Sequence, residues 1–172
     1  MTILQHLKDR HVNLSTYSLT VDEKERVATF LLFNLSGVVC GYQQYRPDAD
    51  KKRKNDPRSG RYYTYRTPGQ IAVFGLETYF RPGPLFLTEG VFDAVRLHNL
   101  GLPAVATLSN DPKHIVGWLR VLSRRKIAVC DPGPSGALLA QHADEVLTCP
   151  GDQDVGAMPA AQLSNLLEAY LF

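Results

Sequence analysis

The chain has 172 residues, 44% of them hydrophobic and 21% charged, with a formal net charge of +2. This is ordinary globular composition, long enough to bury a core. No apolar run nears the roughly 20 residues of a membrane span or forms a signal-peptide core at the amino terminus, so a soluble cytoplasmic protein without a membrane partner is expected. Three widely spaced cysteines, Cys40, Cys130 and Cys149, argue against a disulfide framework and, lacking any Cys-x-x-Cys pair, against zinc; they read as buried free thiols.

In chain order, residues 27–33, 38–45, 62–65 and 71–74 are strand-like and joined by turn-forming pieces such as Asn34-Leu35-Ser36-Gly37. They predict a small β-rich (α+β) subdomain over residues 1–83. Within it, residues 46–66 carry eight basic and three acidic side chains, a local charge of +5 in a chain whose remainder sums to −3. Residues 47–60 have almost no apolar anchor and read as a loop that is mobile when nothing is bound. Arg46, Lys51, Lys52, Arg53, Lys54, Arg58, Arg61 and Arg66, interleaved with Tyr62, Tyr63 and Tyr65, suit a polyanion. Lysine and arginine neutralise phosphates with release of counterions, and tyrosine faces stack on unpaired bases. A basic run alone is ordinarily a solvated loop; the aromatic interleaving and the acidic half that follows give this one its meaning.

After a joint at Arg81-Pro82-Gly83-Pro84, residues 84–172 alternate between short apolar runs and helix-length amphipathic segments. Strands are expected at 85–88, 103–107, 127–130 and 145–148, and helices at 91–100, 113–122, 135–142 and 159–170. Alternation of this kind specifies an α/β unit with a four-stranded parallel sheet flanked by helices. Trp118 falls at helical spacing with Ile115, Leu119 and Leu122 and reads as core, and the five histidines show no ligand spacing.

Carboxylates recur just after the strands of this half: Glu89 and, one helical turn on, Asp93; Asp131; and Asp152 with Asp154. A parallel sheet places all such strand ends on one edge, where ligands of open α/β sheets bind. Singly, an acidic residue in such a place is ordinarily a turn former or cap, and Asp154 fits that description. Together they offer the oxygen ligands of a hard divalent cation, magnesium with manganese as its substitute, which takes one or two carboxylates and completes its shell with water and phosphate.

The Glu89-Gly-x-x-Asp93-Ala94 run, followed one strand-helix repeat later by Asp131 with Gly136 nearby and then by a late Asp-rich turn, resembles the Toprim domain of bacterial and phage primases, topoisomerases and some nucleases. The segment from Ser36 through the basic stretch to Ala72-Val-Phe-Gly-Leu-Glu77 is similar to what precedes Toprim in primase catalytic cores, those of phages above all. The resemblance implies a Toprim fold, Glu89 and Asp131 as catalytic residues, and Glu89, Asp131, Asp152, Asp154 and Asp93 as the source of metal ligands. It also implies a single-stranded DNA template, nucleoside triphosphates, and a helicase or other replication partner, in the cytoplasm of a bacterial host if the chain is phage-encoded.

The chain departs from that pattern at one point. Where the family has Asp-x-Asp, it has Asp131-Pro132-Gly133, so one carboxylate is replaced by glycine. Three functions follow as expectations: primase-like nucleotidyl transfer, nucleolytic cleavage at the same acidic edge, and a degenerate Toprim module that binds nucleic acid or a replication protein without chemistry.

Overall fold

The computed structural model describes residues 1–51, 56–109, 111–151 and 153–171, the side chain of Ser135 excepted. The expected site residues Lys52, Arg53, Lys54 and Asp152 lie outside the described residues. The chain divides into two units, Met1–Ala72 and Val73–Phe172.

The first unit is a four-stranded antiparallel sheet in the order β1-β2-β3-β4, with strands Leu19–Asp22, Val27–Phe33, Val39–Tyr45 and Tyr62–Arg66. Strand alternation sends Ala28, Phe30 and Leu32 of β2 and Gln43 and Tyr45 of β3 to one buried face. A short helix, α1 (Ile3–Asp9), precedes the sheet and closes that face: the His6 ring stacks on Tyr45 with centroids 5.7 Å apart, and its Nε2 lies 2.9 Å from the Tyr45 hydroxyl. The free amides at the start of α1 are satisfied from two sides. Thr2 Oγ1 accepts from Gln5 N, and the Glu23 carboxylate accepts from Ile3 N at 2.9 Å and Leu4 N at 3.0 Å. Neither α1 nor β1 was expected. Each is short and depends on contacts distant in sequence, which local periodicity does not carry.

The second unit holds the parallel sheet, in the order β6-β5-β7-β8, with strands Ala104–Ala106, Leu85–Thr88, Lys126–Cys130 and Glu145–Thr148. Every residue of β5 and β6 is buried, as covering of both faces of a parallel sheet requires. The connections carry α2 (Val91–Asn99), α3 (Val116–Val121) and α4 (Pro134–Ala140), and α5 (Ala160–Leu166) follows β8. Thus the α/β class, the four-stranded parallel sheet and the β-rich first unit are as expected. The 113–122 helix begins with a 3-10 turn, and the last helix stops at Leu166 before another such turn. Of residues 71–74, expected as a strand of the first half, Phe74 forms instead an isolated antiparallel bridge to Ala106, at the edge of the parallel sheet.

Several internal ties hold the second unit together. The Arg124 guanidinium donates to the carbonyls of Tyr79, Arg81 and Gly83 and so fastens the irregular 76–84 segment below β5. Trp118 is buried, as its spacing predicts. The three cysteines are free and buried. No helix among the described residues is long and apolar enough to cross a membrane.

His98, at the end of α2, is 5% exposed, stacks on Phe74, and places Nε2 2.8 Å from the Ala104 carbonyl. The carbonyl can only accept, so that nitrogen carries the proton of a neutral ring. Burial pushes the His98 pKa down to about 4, against a smaller opposing effect of the Ala104 carbonyl. A base whose pKa is lower folded than unfolded stabilises the fold fully above the unfolded value of 6.5 and loses that contribution as pH falls toward 4. Urea unfolding should therefore show the advantage of the wild type over His98→Gln shrinking by about 3 kcal/mol between pH 7 and pH 4. A pH-independent gap would show that folding leaves the His98 pKa unshifted.

Candidate functional site

The reversal of strand order places β5 and β7 side by side at the centre of the parallel sheet, with the connections from β5 running first to β6 and then back across to β7. A ligand crevice forms at the carboxyl ends of strands at such a switch point. Glu89 follows β5 and Asp131 follows β7. The register pairs Leu87 with Ala128, so its continuation puts Glu89 beside Cys130 and one step from Asp131. Both carboxylate residues are exposed at this edge.

The turns that carry them have identifiable causes. After Glu89 the chain enters α2 through Gly90, whose N–H donates to Asp93 Oδ2 at 3.0 Å. A side chain at Gly90 would sit 2.8 Å from that same oxygen. After Asp131, α4 lies so close to the end of β7 that a Cβ at Gly136 would run into the Asp131 carbonyl oxygen and Cys130 Cβ. Gly136 is thus required by backbone approach rather than by chemistry. Leu108, whose N–H donates to the Glu89 carbonyl at 2.9 Å, holds a left-handed φ of 60° on the β6 side of the crevice.

Asp93 ties this edge to the late acidic turn. Its Oδ1 accepts from Gly156 N at 2.8 Å while Oδ2 accepts from Gly90 N, so one carboxylate links the start of α2 to residues 154–157. Burial drives its pKa up to about 7; the negative charges of Asp154 and Asp131 push the same way, and the two amides oppose them. Asp154 is exposed and caps its own turn, accepting from Ala157 N at 2.7 Å. Beneath the edge, the thiols of Cys130 and Cys149 are held neutral. Burial raises both, Cys149 to about 12, with Asp131 and Glu89 adding at Cys130 and Asp131, Asp93 and Asp154 adding at Cys149. Glu89, Asp131, Asp93 and Asp154 therefore share one negative field. Gly156 is a participant that sequence reasoning missed, since an amide contribution leaves no side-chain signal.

Among the described residues, no three side chains from His, Cys, Asp and Glu form a group that could hold a metal ion. The donor set still fits magnesium, because that ion needs only one or two protein carboxylates beside water and phosphate. Glu89 and Asp131 supply two oxygen donors on neighbouring strand ends.

Gly133, where a further carboxylate was expected by family pattern, adopts φ 98° and ψ −170° at the start of α4, between Pro132 and Pro134. Only glycine populates this region readily. The departure is therefore built into the backbone and is not a simple side-chain deletion.

The described parts of the basic stretch, which exclude residues 52–55, are tied by hydrogen bonds. Arg61 N donates to the Asp50 carbonyl, Arg61 Nε to the Ala49 carbonyl at 3.0 Å, and Arg46 N to the Arg61 carbonyl, which pins both ends of the loop. Asp56 caps the 3-10 turn Pro57–Ser59. Lys51 and Arg58 are exposed, while Arg46, Arg61, Tyr63 and Arg66 are half-buried on or beside the sheet.

No protein-family model and no curated protein matches the chain. Among solved structures it is similar to the DnaG catalytic core, at 16% identity and a TM-score of 0.70 over 98% of this chain and 71% of that one. It is similar to the primase fragment of the bacteriophage T7 primase-helicase protein, at 14% identity and a TM-score of 0.69 over 96% and 73%. It is also similar to the DnaG primase catalytic domain bound to ssDNA, at 16% identity and a TM-score of 0.60 over 97% and 69%. The chain spans 71% of the first of these and as little as 58% of the E. coli primase catalytic core. The chain thus has the fold of primase catalytic cores, as its resemblance to them and to their Toprim domain implied.

Two measurements probe this site. Because the folded pKa of Asp93 lies above its ordinary 3.8, the fold binds more protons than the unfolded chain between pH 4 and 7. The contribution of Asp93 to stability should fall as pH rises through that window, and Asp93→Asn should remove the slope; a carboxyl carbon resonance titrating near pH 4 would contradict this. Restoring the family's carboxylate with Gly133→Asp should lower stability by about 2 kcal/mol in thermal unfolding, because the backbone there rejects a side chain.

Proposed function

We propose that the chain is the polymerising core of a primase-like enzyme that carries out magnesium-dependent nucleotidyl transfer on a single-stranded DNA template. What supports this most is the pairing of Glu89 and Asp131 on adjacent strand ends at the switch point, in a chain whose fold across 98% of its length is that of a primase core. Glu89 and Asp131 would hold the cation, with Asp154 and Asp152 contributing from the late turn; manganese would substitute. When bound, the ion would supply neutralisation of the negative charge on the triphosphate. In the transfer a terminal 3′-hydroxyl attacks the α-phosphorus and pyrophosphate leaves. Glu89, exposed after β5, would accept the hydroxyl proton. Asp93 serves by joining the Glu89 turn to residues 154–157, and its charge adds to the field that draws the cation. Arg46, Lys51 to Lys54, Arg58, Arg61, Tyr63 and Arg66 would hold the template and triphosphate. A replication protein such as a helicase would deliver the template, in the cytoplasm, that of a bacterial host if the chain is phage-encoded.

The glycine-only conformation at Gly133 supports a second reading, nucleic-acid binding without chemistry. One incubation separates them. With single-stranded DNA, ribonucleotides and magnesium, new oligonucleotides should appear, and Glu89→Gln should reduce them by at least about 100-fold. Shortened DNA would replace this reading with a nuclease. Bound but unchanged DNA, with no product at any magnesium or manganese concentration, would leave the binding module.

A further inference from the structure

The antiparallel sheet of the first unit has a second face, and the pairing register shows what lies on it. Tyr42 stands opposite Tyr65, and Gln44 opposite Tyr63, on the side away from buried Phe30, Gln43 and Tyr45. The Tyr42 and Tyr65 rings are stacked, with centroids 5.5 Å apart and planes 26° apart, and the Tyr63 ring is 6.2 Å from Tyr42. Tyr65 remains 45% exposed. Arg46, at the next position on this face, donates from Nη2 to Gln44 Oε1 at 2.7 Å. Tyr62 belongs to the opposite face, 5.1 Å from Tyr45.

We infer that Tyr42, Tyr63 and Tyr65 form a platform on which unpaired bases of a single-stranded nucleic acid stack, with Arg46 reaching the adjoining phosphate. Aromatic side chains presented on neighbouring strands of a sheet bind successive bases through their π-faces without regard to sequence. The occupant follows from charge: β3 leads into the 46–66 segment and β4 ends it, and its net charge of +5 suits a polyanion and opposes docking of another basic surface. A cluster of this kind also stabilises the sheet through cross-strand packing, so the test must separate stacking from stability.

This inference rests on the nucleic-acid reading above, and full-length protein with fluorescently labelled oligo-dT tests the two apart. Tyr65→Leu should weaken binding about tenfold, the loss of one stacked base, while leaving the slope of log affinity against log salt unchanged. Tyr65→Phe should bind within about twofold of the wild type, and Tyr62→Leu, altered on the other face, should bind as wild type. Arg58→Ala should reduce the salt slope. Wild-type affinity in Tyr65→Leu alongside weakening in Arg58→Ala overturns the platform and keeps the nucleic-acid reading; no binding by the wild type overturns both. Should Tyr65→Leu fail to fold, photocross-linking of 5-iodouracil DNA to the wild type decides: adducts on Tyr42, Tyr63 or Tyr65 support the platform, and adducts confined elsewhere overturn it. Self-association that Tyr65→Leu abolishes, with DNA binding intact, would assign the face to a second copy of the chain.

Discussion

Parallel pairing of β5 with β7 is the constraint on which the candidate active site depends. Glu89 and Asp131 are 42 positions apart in the chain. They meet only because the strands before them run side by side in the same direction, in a register that ends both at one edge. A one-residue slip of a strand covered on both faces would exchange the side chains packed against its two sides. The register that secures the core thus also sets the relation between the two carboxylates.

Gathering negative charge at one edge costs free energy, and the surroundings show how that cost is distributed. Glu89 and Asp131 stay at the exposed rim, where water screens them. Asp93 is enclosed, and its pKa rises to about 7 even though two backbone amides favour its charged form. The thiols below remain neutral. An edge arranged in this way is relieved by a cation, the physical sense in which the donor set fits one. Gly133 limits how many carboxylates the edge holds, because the chain turns there through a conformation closed to aspartate.

The first unit uses the same alternation to make two unlike faces. One carries Ala28, Phe30 and Leu32 into a core completed by α1. The other gathers Tyr42, Tyr63 and Tyr65 from two strands beside a basic segment. The carboxylate edge thus belongs to the second unit and the tyrosine face to the first.

Much of this was legible in the amino-acid sequence because it resides in local pattern. The alternation after residue 84 determined the parallel sheet, the apolar run ending in Glu89-Gly90 determined a carboxylate at a strand end, and the clustering of lysine, arginine and tyrosine determined a local excess of positive charge among aromatic rings. What depends on distant partners was not legible. The helix α1 needs Glu23 to satisfy its first amides; Phe74 bridges to Ala106 where a longer strand was expected; and the Gly156 amide reaches Asp93 across 63 positions. The tertiary structure also decided which tyrosines share a face, separating Tyr62 from its neighbours by register. It gave Gly133 a backbone reason that composition could not supply. Residue types and their periods are written locally, so the sequence by itself determined the elements and their chemical character. Distances, faces and backbone angles arise only when chain segments far apart pack together, and these the tertiary structure alone decided.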